Sequence, residues 1–390
     1  MTSKEMAALL MGVMIIVATC NVGIAEGFAT ASSSSVSAMY VLGDSTVDCG
    51  DNTLFYPLLR HNLSLLPCNG SDTTLLPHLF AKKLGLPYAS PFYSQNGSIQ
   101  GFLSGVNFGA AEATIMSPSS PNHQSLNQQL RQAFDTLQLL QLQLGKENAY
   151  HFIQSSLFYL SFGKDDYIDL FLQNSSSIYL KRNGSKFAHI LVGQMMNAIR
   201  NLYNAGAKKI VCVGVLPLGC TPRASWEMYN SSTGDDRRGC VDDINRHVLE
   251  FNTMLEQDIV QFNVELPDAH IVFCDVYRAI MEFIINPYVY GFEDVRSACC
   301  GLGRYGGMNG CISVDMACPQ PSAHVWWDLY NPTPAVNSLL ADSAWNGQPW
   351  PIDHIITTHP RIRIHMHLEN QKGVADRLAA ACLPKSLFSH

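Results

Sequence analysis

Met39-Tyr40-Val41-Leu42 is an unbroken apolar run that stops at Gly43-Asp44-Ser45. A run this short, closed by glycine, predicts a strand buried on both faces. The same pattern recurs at Gly105–Ala111, Ser156–Phe162, Lys209–Leu216 and His270–Cys274. Between these runs the apolar positions switch to helical spacing. Leu75–Leu84 predicts a helix ended by Gly85-Leu86-Pro87. Leu126, Leu130, Phe134 and Leu137 predict an amphipathic helix over Leu126–Leu144. Leu191, Met195, Ile199 and Leu202 mark another, closing near Gly206. Ile244, Val248, Phe251, Leu255, Ile259 and Phe262 form a further stripe, and a last helix spans about Thr333–Trp345. The stretch 53–66 is mixed and helical in part.

Strands that alternate with helices predict an α/β fold. One parallel sheet of about five strands would carry helices on both faces. No repeat or low-complexity linker divides the chain, so residues 36–350 read as one domain. Residues 351–390 read as a C-terminal extension. Its His354, His359, His365 and His367 belong to a poorly packed tail rather than to a metal site.

The amino terminus changes the picture. Lys4 precedes an apolar segment from Ala7 to about Ala18, and Ala29-Thr30-Ala31 offers a small-x-small cleavage site. Residues 1–31 therefore predict a secretory signal peptide, with Ala25 as an alternative cleavage point. The segment is short for a membrane span, and no later segment is long and apolar enough. Asn-x-Ser/Thr sequons begin at Asn62, Asn69, Asn96, Asn174, Asn183 and Asn230. Cys299, Cys300, Cys311 and Cys318 cluster in a glycine-rich stretch, and Cys220 and Cys240 bracket a polar loop. This usage predicts disulfides in an oxidising compartment, with the pairings in the cluster left open. Zinc fits the cluster less well, because it holds no Cys-x-x-Cys pair. Of the 390 residues only 15% are charged, and the net charge of −7 excludes nucleic acid as a partner. The expectation is a secreted, extracellular or cell-wall glycoprotein.

Ligands of open α/β sheets bind beyond the carboxyl ends of the strands. Ser45 sits at such an end and is placed to act as a nucleophile. A serine or aspartate capping an ordinary turn would give the same tripeptide, so the rest of the chain must decide.

Downstream segments decide it. Gly43-Asp44-Ser45-x-x-Asp48, Gly105-Val106-Asn107-Phe108 and Gly163-Lys164-Asp165-Asp166-Tyr167 occur in that order. Leu216–Arg223, Ala298-Cys299-Cys300-Gly301 and Trp326-Trp327-Asp328-Leu329-Tyr330-Asn331-Pro332-Thr333 follow. With this order and spacing the chain resembles the plant GDSL esterase/lipases of the SGNH hydrolase superfamily, from about Tyr40 to Trp350. The resemblance implies a flavodoxin-like three-layer α/β/α fold. It implies ester hydrolysis by a Ser-His-Asp triad and an oxyanion hole of two backbone N–H groups and an asparagine amide. It implies Ser45 as nucleophile, Asp328 as the triad aspartate, and Ser45, Ala111 and position 165 as oxyanion groups. Neither a metal nor an organic cofactor is implied. The partner would be a small-molecule ester, a lipid or an acylated glycan.

Three positions depart from the family pattern. Ala111 replaces a glycine, a mild change because the donor is a backbone N–H. Asp165 stands at the oxyanion asparagine, and an ionised carboxylate only accepts hydrogen bonds. Asn331 stands where the triad histidine belongs, three residues after Asp328, and an amide is no base near neutral pH. His324, four residues before Asp328, is the nearest other histidine in sequence, and a packing role fits it better. Leu65–Gly70 also replaces a Gly-Arg-Phe-containing stretch. Two readings follow: an ester hydrolase with impaired activity, or an inactive GDSL-fold protein that binds a lipid, acyl or glycan ligand. A purely structural glycoprotein has no feature in its favour.

Overall fold

The computed structural model describes residues 36–48, 68–69, 72–73, 75–116, 124–168, 184–231 and 239–346. The leader, the mixed segment 53–66, most of Leu65–Gly70, the sequons at Asn62, Asn174 and Asn183, and the extension 351–390 lie outside these residues.

Six strands form one parallel sheet. They are β1 Met39–Gly43, β2 Ser90–Pro91, β3 Val106–Asn107, β4 Leu157–Ser161, β5 Lys209–Val213 and β6 His270–Cys274. Their spatial order is β2-β3-β1-β4-β5-β6. β1 pairs in register with β4, from Met39↔Leu157 to Gly43↔Ser161. β4 continues onto β5, and β5 onto β6, residue for residue. Every residue of β1 and β4 is buried, as the unbroken apolar runs require for strands covered on both faces.

The helices are α1 Leu76–Leu84, α2 Ile99–Leu103, α3 Leu126–Leu144, α4 Lys146–Ser155, α5 Gly184–Asn204, α6 Pro222–Ser231, α7 Asp242–Glu265, α8 Val276–Ile285 and α9 Pro334–Asn346. The chain runs outward from β1 to one side and then back across it. Right-handed crossovers therefore place α1 on one face and α3, α5 and α7 on the other. α5 packs on α7 and on α3, while α9 packs on α1 and α8, giving a three-layer α/β/α arrangement. α1 is fixed to the sheet through Phe80, whose ring meets Tyr159 of β4 at 6.1 Å between centroids. Burying such an aromatic contributes about 1.5–3 kcal/mol.

Two expected strands are shorter than their apolar runs. β3 covers only Val106–Asn107 of the expected Gly105–Ala111. β5 stops at Val213: Gly214 N–H still bonds Cys274 O of β6 at 2.9 Å, but Val215 N–H is taken by the Asn252 side chain at 2.8 Å. The edge strand β2 and helices α2, α4, α6 and α8 are not among the expected elements. β2 is two residues long and contains Pro91, which an edge tolerates but a periodicity does not reveal.

Beyond β6 a parallel ribbon of β7 Asp294–Ala298 and β8 His324–Trp326 leads to the Asp328 loop. Disulfides Cys299–Cys318 and Cys300–Cys311 staple the intervening loop, and Cys220–Cys240 closes the other polar loop. Cys212 and Cys274 are buried in β5 and β6 and take no part in these three disulfides. Among the described residues, no helix is long and apolar enough to cross a membrane.

Candidate functional site

The site grows from the end of β1. Gly43 must lack a side chain, since a Cβ there would lie 2.5 Å from Val47 Cγ2 and 2.6 Å from Ser161 O. Gln129 of α3 brackets the Gly43 peptide from the other side. Gly43 N–H donates to its Oε1 at 2.9 Å, and its Nε2 donates to Gly43 O at 2.8 Å. Nothing at Ser45 points to Gln129, yet a signal existed: it is a polar residue three after Leu126, on the buried stripe of α3.

Asp44 ties the end of β1 to the turn after β4. Its Oδ2 accepts Lys164 N–H at 3.0 Å and Asp165 N–H at 3.4 Å. Its Oδ1 accepts the N–H and hydroxyl of Thr46. Gly163 makes this turn possible, with φ of 112°. The turn sets three charged residues, Lys164, Asp165 and Asp166, inside the protein. Burial first, and repulsion from Asp165 second, push the Asp44 carboxyl up to about 7, against the pull of Lys164 and Thr46. Burial also pushes Asp166 up to about 8, although it accepts N–H bonds from Ile115 and Met116.

Asp165 faces the serine directly. Ser45 Oγ donates to Asp165 Oδ1 at 2.7 Å, and Ser45 N–H donates to Asp165 Oδ2 at 2.9 Å. One carboxylate thus holds both the serine hydroxyl and one of the two expected backbone oxyanion donors. The other expected donor, Ala111 N–H, is engaged by Asp48 Oδ2 at 2.8 Å. Asn107 supports this side by donating to Val47 O at 2.7 Å and accepting Gly109 N–H at 2.9 Å.

The opposite wall is the loop after β8. Asp328 Oδ1 accepts the N–H groups of Tyr330 and Asn331, and its Oδ2 accepts Asn331 Nδ2 at 2.9 Å. The stapled loop fixes this segment, since Cys299 N–H donates to Trp326 O and Cys300 N–H to Trp327 O. Asn331 Oδ1 accepts from Lys164 Nζ at 2.6 Å, and Lys164 Nζ lies 3.8 Å from Asp165 Oδ1. Ser45, Asp165, Lys164, Asn331 and Asp328 therefore form one continuous polar chain. The fold brings Ser45 and Asn331 to the same cleft.

Sequence reasoning did not find Lys164. It is 2% exposed, and a buried ammonium needs partners, which Asn331 and Asp165 provide. The dipeptide Gly-Lys carries no hint of this, because Asn331 is 167 residues away. His324 is engaged elsewhere, with Nδ1 at 3.2 Å from Gln320 O and Nε2 at 3.9 Å from Asp294 Oδ2. Among the described residues no group of three or more His, Cys, Asp or Glu side chains is arranged to hold a metal ion.

The cleft holds about 730 Å³ of open space, including its mouth. Asp44, Ser45, Asp48, Lys164 and Asn331 line its polar end. Leu76, Tyr159, Val213, Val276, Ile280 and Leu340 line the rest. The lining is that of a small-molecule site, mostly apolar with a few polar groups.

Comparison with known proteins gives concordant matches. The family model described as GDSL-like Lipase/Acylhydrolase matches residues 39–344. The Arabidopsis thaliana protein GDSL esterase/lipase At1g71250 is 34% identical over 352 residues, 86% of this chain and 92% of that protein. Arabidopsis GDSL esterase/lipase 7 is 30% identical over 328 residues, covering 79% and 87% of the two chains.

Proposed function

Since the chain belongs to the GDSL lipase/acylhydrolase family, whose members act on ester bonds, we propose that it keeps the family's acyl-ester site with hydrolysis at Ser45 strongly impaired. It works as a secreted protein that holds a lipid or acylated ligand. The observation that carries this reading is the two-point grip of Asp165 on Ser45, through Oγ at 2.7 Å and through N–H at 2.9 Å.

The reasoning is chemical. Attack on an ester needs a base for the Ser45 proton and free donors for the developing oxyanion. Asn331 supplies an amide at the base position, and that amide already donates to Asp328. Its carbonyl accepts from Lys164, so neither end of the side chain is available to Ser45. Asp165 adds an acceptor where a donor is required, and the oxyanion and Asp165 compete for the same Ser45 N–H. The apolar cleft remains open beside this blocked centre, and this favours ligand holding.

Secretion is supported by the leader-like residues 1–31, the sequons and the three disulfides. Asn96, one of the sequon asparagines, is exposed on the surface.

Hydrolysis of p-nitrophenyl butyrate by the purified mature protein tests the proposal. Turnover should be near the uncatalysed rate and unchanged by Ser45→Ala. Robust turnover lost on Ser45→Ala would make Ser45 a working nucleophile and overturn the impairment. Asp165, already in hydrogen-bond contact with the hydroxyl, would then be the base to test first.

A further inference from the structure

The polar end of the cleft is unusual in its charge. Carboxyl groups of Asp44 and Asp48 line it, and Asp165 lies one hydrogen bond behind Ser45. The cation among the described lining residues is Lys164, which already donates to Asn331 and lies near Asp165. We propose that this cleft selects an uncharged long-chain ligand, an ester or an alcohol, and rejects the corresponding fatty acid anion. This inference rests on the reading of the cleft as an acyl-ligand site.

Three observations converge. First, the mouth is rich in acceptors and poor in donors. The N–H groups of Ser45 and Ala111 are held by Asp165 and Asp48. A carboxylate head would therefore find one cationic donor, the Lys164 ammonium, set among the carboxyl groups of Asp44, Asp48 and Asp165. An ester carbonyl needs a single donor, and the Lys164 ammonium has three N–H bonds, one of which goes to Asn331. An alcohol hydroxyl can donate to the carboxylates directly.

Second, the site resists further negative charge. Repulsion from Asp165 already helps push Asp44 above the ordinary carboxylate range. A ligand carboxylate beside the same groups adds another repulsion in a partly desolvated pocket, where charges interact more strongly than in water.

Third, the apolar part is a half-open slot lined from several elements of the fold. Tyr159 and Val213 come from neighbouring strands β4 and β5, and Ile280 and Leu340 from α8 and α9. Each methylene of a linear alkyl chain buried in this slot would contribute about 0.8 kcal/mol. Charge at the head thus decides among ligands that share the chain.

Displacement of Nile red, a neutral dye, tests the proposal with the full mature protein at pH 8, below the ligands' micelle concentrations. Dodecanol and methyl dodecanoate should displace the dye at concentrations at least about tenfold lower than dodecanoate, a difference of about 1.4 kcal/mol. Asp48→Asn should narrow that gap by strengthening dodecanoate. Ile280→Trp, which fills the apolar slot, should weaken all three ligands together. Dodecanoate displacing as well as dodecanol would overturn the charge selection while leaving the acyl-ligand reading intact. Displacement that survives Ile280→Trp would overturn the placement of the ligand. Failure of every ligand to bind would overturn the acyl-ligand reading itself, and this inference with it.

Discussion

The two walls of the cleft differ in what their side chains do. On the Ser45 wall, polar side chains serve the backbone. Gln129 brackets Gly43, Asp44 caps the turn after β4, and Asn107 ties Val47 to Gly109. Toward the Asn331 wall, polar side chains also bond one another, through Asp328, Asn331, Lys164 and Asp165. The first wall is scaffold, and it holds the serine where the family fold requires it. The second wall is where the family's chemistry would reside, and here its side chains are bonded to one another. Positioning and chemistry are thus separable in this fold: a site is kept in shape by groups that do not react.

The largest expected effect comes from reopening the second wall. Asn331→His alone would place an imidazole against the Lys164 ammonium and gain little. The triple variant Lys164→Met, Asp165→Asn, Asn331→His removes that ammonium, frees Ser45 N–H and restores a base beside Asp328. Its kcat/KM for p-nitrophenyl butyrate should rise by at least about 100-fold, since one oxyanion donor alone is worth about 10²–10³ in rate. Each single change should give far less, because members of such a unit are not additive. Adding Ser45→Ala should erase the gain. A triple variant as slow as the parent would show that the scaffold wall is also altered.

Next in size is the covalent support of the Asn331 wall. Cys299→Ser with Cys318→Ser removes a staple against Trp326 and should cost roughly 2–5 kcal/mol in chemical unfolding. The Ser45 wall has no covalent staple among its described residues and depends on hydrogen bonds instead. Gln129→Leu leaves Gly43 N–H buried without its partner, while Gly43 O keeps the Ala110 N–H, and should cost about 1–3 kcal/mol. If that variant unfolds at the parental midpoint, Gln129 does not support the wall.

The last effect is a slope in pH rather than a fixed loss. Burial holds the Asp166 carboxyl up at about 8 in the folded state. The unfolded chain releases that proton near the ordinary value of about 4. Between these values the folded state binds more protons, so its stability is full in acid and declines as pH rises. The melting temperature should therefore fall from pH 5 to pH 8.5, and Asp166→Asn should flatten the fall. One proton corresponds to a slope of about 1.4 kcal/mol per pH unit. A parental melting temperature that rises with pH over this range would contradict the burial account.

The same contrast governs what was legible in the sequence. The strands at Met39–Gly43, Leu157–Ser161 and His270–Cys274 are local apolar runs, and all three appear in the fold. Edge strand β2 escaped notice, because two residues with a proline carry no period. Ser45, Asp328 and Asn331 could be named because their motifs are contiguous. The contact of Lys164 with Asn331 and that of Gln129 with Gly43 could not be, since they join residues 167 and 86 positions apart. Motifs announce which residues stand at a site. They do not announce which of those residues bond to one another, and at this site the bonding decides the chemistry.

Labelling of the native protein by a fluorophosphonate probe, with the modified peptide identified by mass spectrometry, tests the central claim most directly. The probe reports whether the serine is nucleophilic, whatever the natural ligand. With Asp165 gripping Ser45 and no histidine among the described residues that line the cleft, the parent should show no labelling above the Ser45→Ala background, while the triple variant labels at Ser45. Rapid labelling of Ser45 in the parent would contradict the account.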